Sequence, residues 1–211
     1  MKGLDTTMQV EKIVFATGNA DKMREIRMIM EDLNIPVCSM KEMGINIPIE
    51  ENGTTFEENS LIKAKAIAKE LKNRGEQAVV LADDSGLEID ALNKEPGVYS
   101  ARYMGEDTSY RIKNANLISR LEGVSQEKRT ARFVCAIAVV LPDFTEYVVR
   151  ATMEGQIGYE EKGANGFGYD PIFYLPEYQC YSAELSPEEK NKISHRGKAL
   201  ELAKAYLQKN M

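Results

Sequence analysis

Two short stretches of this chain are apolar from end to end, and each runs straight into a polar turn. Lys12-Ile-Val-Phe-Ala-Thr17 hands over to Gly18-Asn19, and Ala78-Val-Val-Leu-Ala82 hands over to Asp83-Asp84-Ser85-Gly86. A strand with one wet face alternates apolar and polar residues, so an unbroken apolar run predicts a strand buried on both faces of a mostly parallel sheet. In such sheets the carboxyl ends of the strands are where ligands bind, which makes both handover points candidate sites.

Helical patterns supply the covering layers. Met23, Ile26, Met30 and Leu33 recur at helical spacing after the first strand. Thr55-Phe-Glu-Glu58 is a capping box, and Leu61, Ala64, Ala68 and Leu71 predict a helix from Phe56 to Lys72 closed by Gly75. Thr108 is placed to cap a third helix with Ile112, Ala115, Ile118 and Leu121 facing inward, ended by Gly123. Thr130 to Leu141 and Thr145 to Gly155 read as an antiparallel hairpin about Pro142-Asp143, and Ile172 to Leu175 as a further strand. Ser186-Pro-Glu-Glu189 opens a C-terminal helical region, interrupted near His195-Arg196-Gly197. No repeat or linker divides residues 1–211, which predicts one domain with an α/β fold and a mixed sheet.

Charge and residue counts narrow the function. The formal net charge is −6, the wrong sign for a chain that holds a nucleic-acid backbone mainly by charge. His195 is the sole histidine, which excludes His-rich zinc sites and leaves the chemistry to carboxylates and lysines. The three cysteines, Cys38, Cys135 and Cys180, include no CxxC pair and point to a reducing cytoplasm. The N-terminus lacks the apolar stretch of a secretory signal. The longest apolar run, Phe133 to Leu141, falls far short of the roughly 20 residues a membrane-spanning helix needs. A soluble intracellular protein is expected.

Several groups of residues are suited to chemistry, each with a plainer structural reading beside it. Thr17-Gly18-Asn19-Ala20-Asp21-Lys22 joins a strand to a helix, where backbone N–H groups, the helix dipole and Lys22 can converge on a phosphate; an Asn-capped turn with a surface lysine is the plainer reading. Asp83 and Asp84 diverge if the strand continues through them, and converge on a hard cation such as Mg²⁺ only if the chain turns there. Glu50-Glu51-Asn52-Gly53 is an acidic turn ahead of the second helix. Helical periodicity puts Lys63 on the polar face with Lys65 and Lys69. Asn165-Gly-Phe-Gly-Tyr-Asp170 offers two glycines for close backbone approach and two aromatics for stacking, without the third glycine of a dinucleotide fingerprint. Ser194-His195-Arg196-Gly197 carries donors suited to a planar heterocycle or phosphate, or is simply a helix cap.

Taken in order, Ala16–Lys22 (ATGNADK), Thr55–Ala68 (TFEENSLIKAKAIA), Ala82–Leu92 (ADDSGLEIDAL), Pro96–Asp107 (PGVYSARYMGED), Gly166–Phe173 (GFGYDPIF) and Lys190–Leu200 (KNKISHRGKAL) resemble the inosine triphosphate pyrophosphatase family. About a dozen residues precede the matching part. The resemblance implies an elongated mixed sheet flanked by helices in two lobes, with the active site in the cleft between them, and a homodimer with the Asn93–Gly105 region as a contributor. It implies Mg²⁺-dependent attack of water on the α-phosphorus of inosine, deoxyinosine or xanthosine triphosphate, releasing pyrophosphate. By position, Asp84 is then the general base and a metal ligand, with Asp83 and Glu51, or its neighbour Glu50, supporting the metal. Thr17, Gly18, Asn19, Ala20, Asp21 and Lys22 become the phosphate loop, and Lys63 is moved from the polar helix face to a triphosphate contact. Ser85, Phe167, Gly168, Tyr169, Asp170, Lys190, His195 and Arg196 become contacts to base, sugar and phosphates. A pyrophosphatase of the same fold with another nucleotide preference, and a non-catalytic nucleotide sensor, are the alternatives.

Overall fold

A computed structural model describes residues 10–210. The N-terminal stretch read above for its lack of a leader lies outside them, apart from Val10 to Lys12. Seven strands form one mixed sheet: β1 (Ile13–Phe15), β2 (Val37–Ser39), β3 (Val79–Ile89), β4 (Thr130–Val140), β5 (Glu146–Ile157), β6 (Phe173–Leu175) and β7 (Cys180–Tyr181), in the order β2-β1-β3-β4-β5-β6-β7. β1 runs parallel to both β2 and β3, and every later pairing is antiparallel. The expected hairpin is β4–β5. The five helices are α1 (Ala20–Met30), α2 (Phe56–Asn73), α3 (Tyr110–Arg120), α4 (Pro187–Ile193) and α5 (His195–Asn210). None of the described helices is long and apolar enough to cross a membrane.

The apolar runs are buried on both faces as predicted, because successive side chains of a strand point to opposite sides. Ile13, Phe15, Val79 and Leu81 pack with α1 and α5 residues such as Ile26, Leu200 and Leu207. Val14, Val80 and Ala82 pack instead with Ala64, Ile67 and Leu71 of α2. A third cluster joins Leu87, Ile89, Phe133 and Phe173 to Leu117 and Leu121 at the end of the sheet near α3.

Two expectations are corrected. The second apolar strand does not stop at Ala82: it continues through Asp83-Asp84-Ser85-Gly86 to Ile89, because β4 pairs with it continuously from Val80 opposite Val140 to Ile89 opposite Ala131. A ladder of that length carries four polar or small residues that could not start a strand by themselves. The third helix is capped by Ser109, whose Oγ accepts from Ile112 N–H at 3.4 Å; the Thr108 hydroxyl is committed to Met104 O at 2.7 Å. Its inner stripe is Lys113, Asn114 and Leu117, while Ile112 is exposed. Polar side chains face inward there because loop carbonyls await them: Lys113 Nζ donates to Ala101 O at 2.6 Å and Asn114 Nδ2 to Gly168 O at 3.3 Å.

Candidate functional site

A cavity of about 550 Å³ opens where β1 and β3 meet the loops before α2 and α3, and it gathers most of the residues singled out from the sequence. The β1–α1 turn forms one wall. Asn19 caps α1, its Oδ1 accepting from Lys22 N–H at 3.0 Å, so that Thr17, Gly18, Asn19 and the Lys22 side chain line the cavity. Ala20 is exposed and does not line it, and Asp21 forms an exposed ion pair with Arg24 at 2.7 Å.

Because β3 stays a strand, the two aspartates diverge. Asp83 continues the Leu81 face and is fully buried; its Oδ2 meets Lys22 Nζ at 2.9 Å, Ser85 Oγ at 3.2 Å and Arg196 Nη2 at 3.4 Å. Burial pushes its pKa up, but the Lys22, Arg196 and Lys63 charges outweigh that and hold the carboxyl well below the usual range. Asp84 continues the Ala82 face and lines the cavity. Burial raises its pKa to about 6, opposed by Lys63 and Lys22 and reinforced by the Asp83 and Glu51 charges. Its Oδ2 is buried without a hydrogen-bond partner.

Lys63 is not on a solvated face. The fold turns it to Glu51 Oε2 at 2.9 Å, largely buried, and the Asp83, Asp84 and Glu51 charges overcome burial to raise its pKa. Glu51 is half-buried and lines the cavity; Glu50 is exposed and does not.

The opposite wall is aromatic and cationic. The turn Gly163–Asp170 is drawn in by Asp170, whose Oδ2 accepts from Phe167 N–H at 2.9 Å and Lys190 Nζ at 2.7 Å and whose Oδ1 accepts from Ser182 Oγ at 2.7 Å. Gly166 has φ +71°, and a Cβ there would stand 2.2 Å from Asp170 Oδ2, so glycine is required for this closure. Phe167 lies 5.2 Å from Lys190 Nζ and 5.6 Å from the Arg196 guanidinium, measured to its ring centroid. Tyr169 donates its hydroxyl to Ser100 O at 2.6 Å.

Arg196 and His195 begin α5, just beyond a break at Ser194, whose Oγ accepts from Gly197 N–H at 2.9 Å. Gly197 permits that turn: a Cβ would stand 1.9 Å from Asn191 O. His195 is stacked on Phe133 with ring centroids 4.9 Å apart, and burial together with the Arg196 and Lys190 charges keeps it neutral. His195 Nδ1 and Arg196 Nε are both buried without partners.

Sequence reasoning missed Glu25. One turn beyond Lys22 on α1, it is buried, with Oε1 at 3.1 Å from Lys190 Nζ and Oε2 against Arg196 Nη1. Burial raises its pKa, but the Arg196 and Lys190 charges prevail and lower it. The available signal was a glutamate next to Ile26 on the apolar side of α1, where an unpaired carboxylate would be costly. Ser100 and Arg102, within the Pro96–Asp107 segment, also line the cavity, as do Tyr110 and Phe133, which no motif marks.

The chain resembles known proteins over nearly its whole length. A family model described as the Ham1 family matches residues 13–206. A Clostridium perfringens protein named dITP/XTP pyrophosphatase is 45% identical over 196 residues, covering 92% of this chain and 96% of its own. A Geobacillus kaustophilus protein of the same name is 48% identical over 191 residues, 90% and 91% of the two chains. The solved structure of the Staphylococcus aureus Ham1 protein superposes with a TM-score of 0.83 at 42% identity, over 95% of this chain and 100% of that one. The Mycobacterium abscessus nucleoside-triphosphatase / dITP/XTP pyrophosphatase gives 0.70 at 39% identity, over 91% and 98%. With the family model spanning the sheet, the helices and every wall of the cavity, the chain belongs to the Ham1 family.

Proposed function

We propose that this chain hydrolyses inosine-type and xanthosine triphosphates, including dITP, ITP and XTP, to the nucleoside monophosphate and pyrophosphate, with Asp84 as the general base. The names of the relatives support the reaction. The observation that carries the mechanism is Asp84: a buried carboxylate on the cavity wall, one oxygen unpartnered, poised at about 6 between two lysines. A base whose pKa lies near the working pH is both deprotonated and able to take a proton from water. Lys63 and Lys22 flank it and stabilise negative charge as the pyrophosphate leaves.

The donor set fits Mg²⁺. The unpartnered Asp84 oxygen and the Glu51 carboxylate are hard oxygen ligands lining one cavity. That is the arrangement Mg²⁺ uses when one or two carboxylates hold it and substrate phosphates complete its shell. When bound, the ion supplies charge neutralisation at the triphosphate. Asp83 enters the reading as the counter-charge that aims Lys22 and Arg196.

Base choice follows from an unpaired buried donor. Arginine N–H groups can only donate, so Arg196 Nε calls for an acceptor; a 6-oxo purine offers one, whereas the 6-amino group of adenine leaves donor facing donor. In this reading residues 1–211 act as one catalytic domain, the α2 and α3 sides of the cavity are its two lobes, and the protein works as a cytoplasmic homodimer. Exposed Tyr99 and Met104 in the Asn93–Gly105 region suit such an interface.

Pyrophosphate release measured with Mg²⁺ across dITP, ITP, XTP and the standard triphosphates tests the assignment. A kcat/KM for dITP or XTP on the order of 100-fold above that for dATP is expected, the scale that one unsatisfied buried donor imposes. Preference for a standard nucleotide overturns the substrate assignment.

A further inference from the structure

Helix α3 turns Lys113, Asn114 and Leu117 inward, and Tyr110, three residues before Lys113, continues that stripe at the start of the helix with its ring partly exposed. Two of these hold the loops of the cavity, through Lys113 Nζ to Ala101 O and Asn114 Nδ2 to Gly168 O, and Asn114 Nδ2 also donates to Glu161 Oε1 at 2.8 Å. Leu117 anchors the helix in the core. Tyr110 is the member of the stripe that reaches the cavity itself.

Its ring is held from behind. It stands edge-on to Tyr169 with centroids 5.1 Å apart, and its carbons lie 3.5 Å from where a Cβ on Gly168 would be. Tyr169 is in turn fixed through its hydroxyl to Ser100 O. Yet Tyr110 remains 37% exposed. A rigidly backed aromatic with surface left over, at the wall that also carries Phe167 and His195, is suited to pack on a heterocycle.

We propose that Tyr110 is a substrate contact, its ring forming the outer wall against which the purine base packs, so that it sets KM more than kcat. This rests on the pyrophosphatase reading above and adds a residue that no motif marks. Tyr110→Ala should raise KM for dITP about tenfold, in line with the loss of one base–aromatic contact, with a much smaller change in kcat. Tyr110→Phe, which keeps the ring, should recover most of that loss. Inorganic tripolyphosphate, which fills only the phosphate end, should inhibit Tyr110→Ala and the wild type with the same Ki. A KM unmoved by Tyr110→Ala overturns the proposal. So does a tripolyphosphate Ki that rises in step with KM, because Tyr110 would then support the whole cavity rather than the base. If the wild type releases no pyrophosphate from dITP, the pyrophosphatase reading fails separately, and calorimetric titration with dITP still measures the Tyr110 contribution as a ratio of Kd values.

Discussion

Asp83 and Asp84 are consecutive residues of one strand, and they occupy opposite electrostatic worlds. Asp83 faces α1 and α5, where Lys22, Arg196 and Ser85 surround it and keep it ionised. Asp84 faces α2, where burial and the neighbouring Asp83 and Glu51 charges push it up to about 6 although Lys63 and Lys22 pull the other way. The same carboxyl chemistry thus yields a fixed counter-ion on one face and a titratable group on the other, the pattern by which active sites divide structural from acid–base work. The divider is strand pleating: it needs only that β3 continue past Ala82.

The strongest way to break the comparison is Asp84→Asn. Removing a general base costs about 10²–10⁴-fold, so pyrophosphate release should fall on the order of 10³-fold while the protein stays folded. Stability should move the other way. The Asp84 carboxyl titrates near 3.8 when unfolded and about 6 when folded, so between those values the folded state binds more protons and stability falls as pH rises. Above about pH 6 the full cost is present, on the order of 2–3 kcal/mol, and Asn does not incur it. Melting curves without divalent ions should therefore show Asp84→Asn more stable than wild type at pH 8, the gap closing below about pH 4. Near wild-type turnover would end the assignment of the base.

Asp83→Asn should move stability the opposite way. Lys22 and Arg196 lose a buried counter-charge, and breaking a buried pair costs about 3–5 kcal/mol, roughly 10 °C in Tm for a chain of this size. Because Arg196 keeps Glu25, the protein should still fold at low temperature. An Asp83→Asn protein as stable as wild type would show that the two faces do not differ as described.

How much of this was legible beforehand depends on the kind of residue. Apolar runs and capping boxes are local signals, so β1, the first part of β3, α2 and α4 could be read from them, as could the mixed sheet. The continuation of β3 through Asp83-Asp84 is imposed by Ile137 and Ala136 of β4, far along the chain, and no local pattern reports it. Half of the α3 stripe was misread for the same reason: Leu121 is buried and Ile118 packs on the core, but Ile112 and Ala115 are exposed, while Lys113 and Asn114 are inward because carbonyls of Ala101 and Gly168 meet them, a fact of tertiary structure. Lys63 shows the two kinds of reading in conflict, periodicity placing it in solvent and family resemblance in the site, and the buried pair with Glu51 sides with the second. Glu25 escaped both, since a carboxylate on an apolar helix face signals something only once Lys190 and Arg196 arrive from the far end of the chain.

The acidic turn repeats the contrast on a smaller scale. Glu50 and Glu51 are also consecutive, but only Glu51 points inward, to Lys63 and the cavity. If Glu51 helps Asp84 hold Mg²⁺, Glu51→Gln should raise the Mg²⁺ concentration for half-maximal activity about tenfold, the lower end of what losing a supporting ligand costs. Glu50→Gln should leave it within twofold, since that side chain is exposed and does not line the cavity. Titrating Mg²⁺ at fixed dITP for both variants separates metal support from mere acidity of the turn, which would make the two substitutions equivalent. Saturating Mg²⁺ should restore most of the Glu51→Gln rate, because Asp84 and the substrate phosphates still provide oxygen ligands; a rate that stays low at every Mg²⁺ concentration would instead assign Glu51 to holding Lys63 in place.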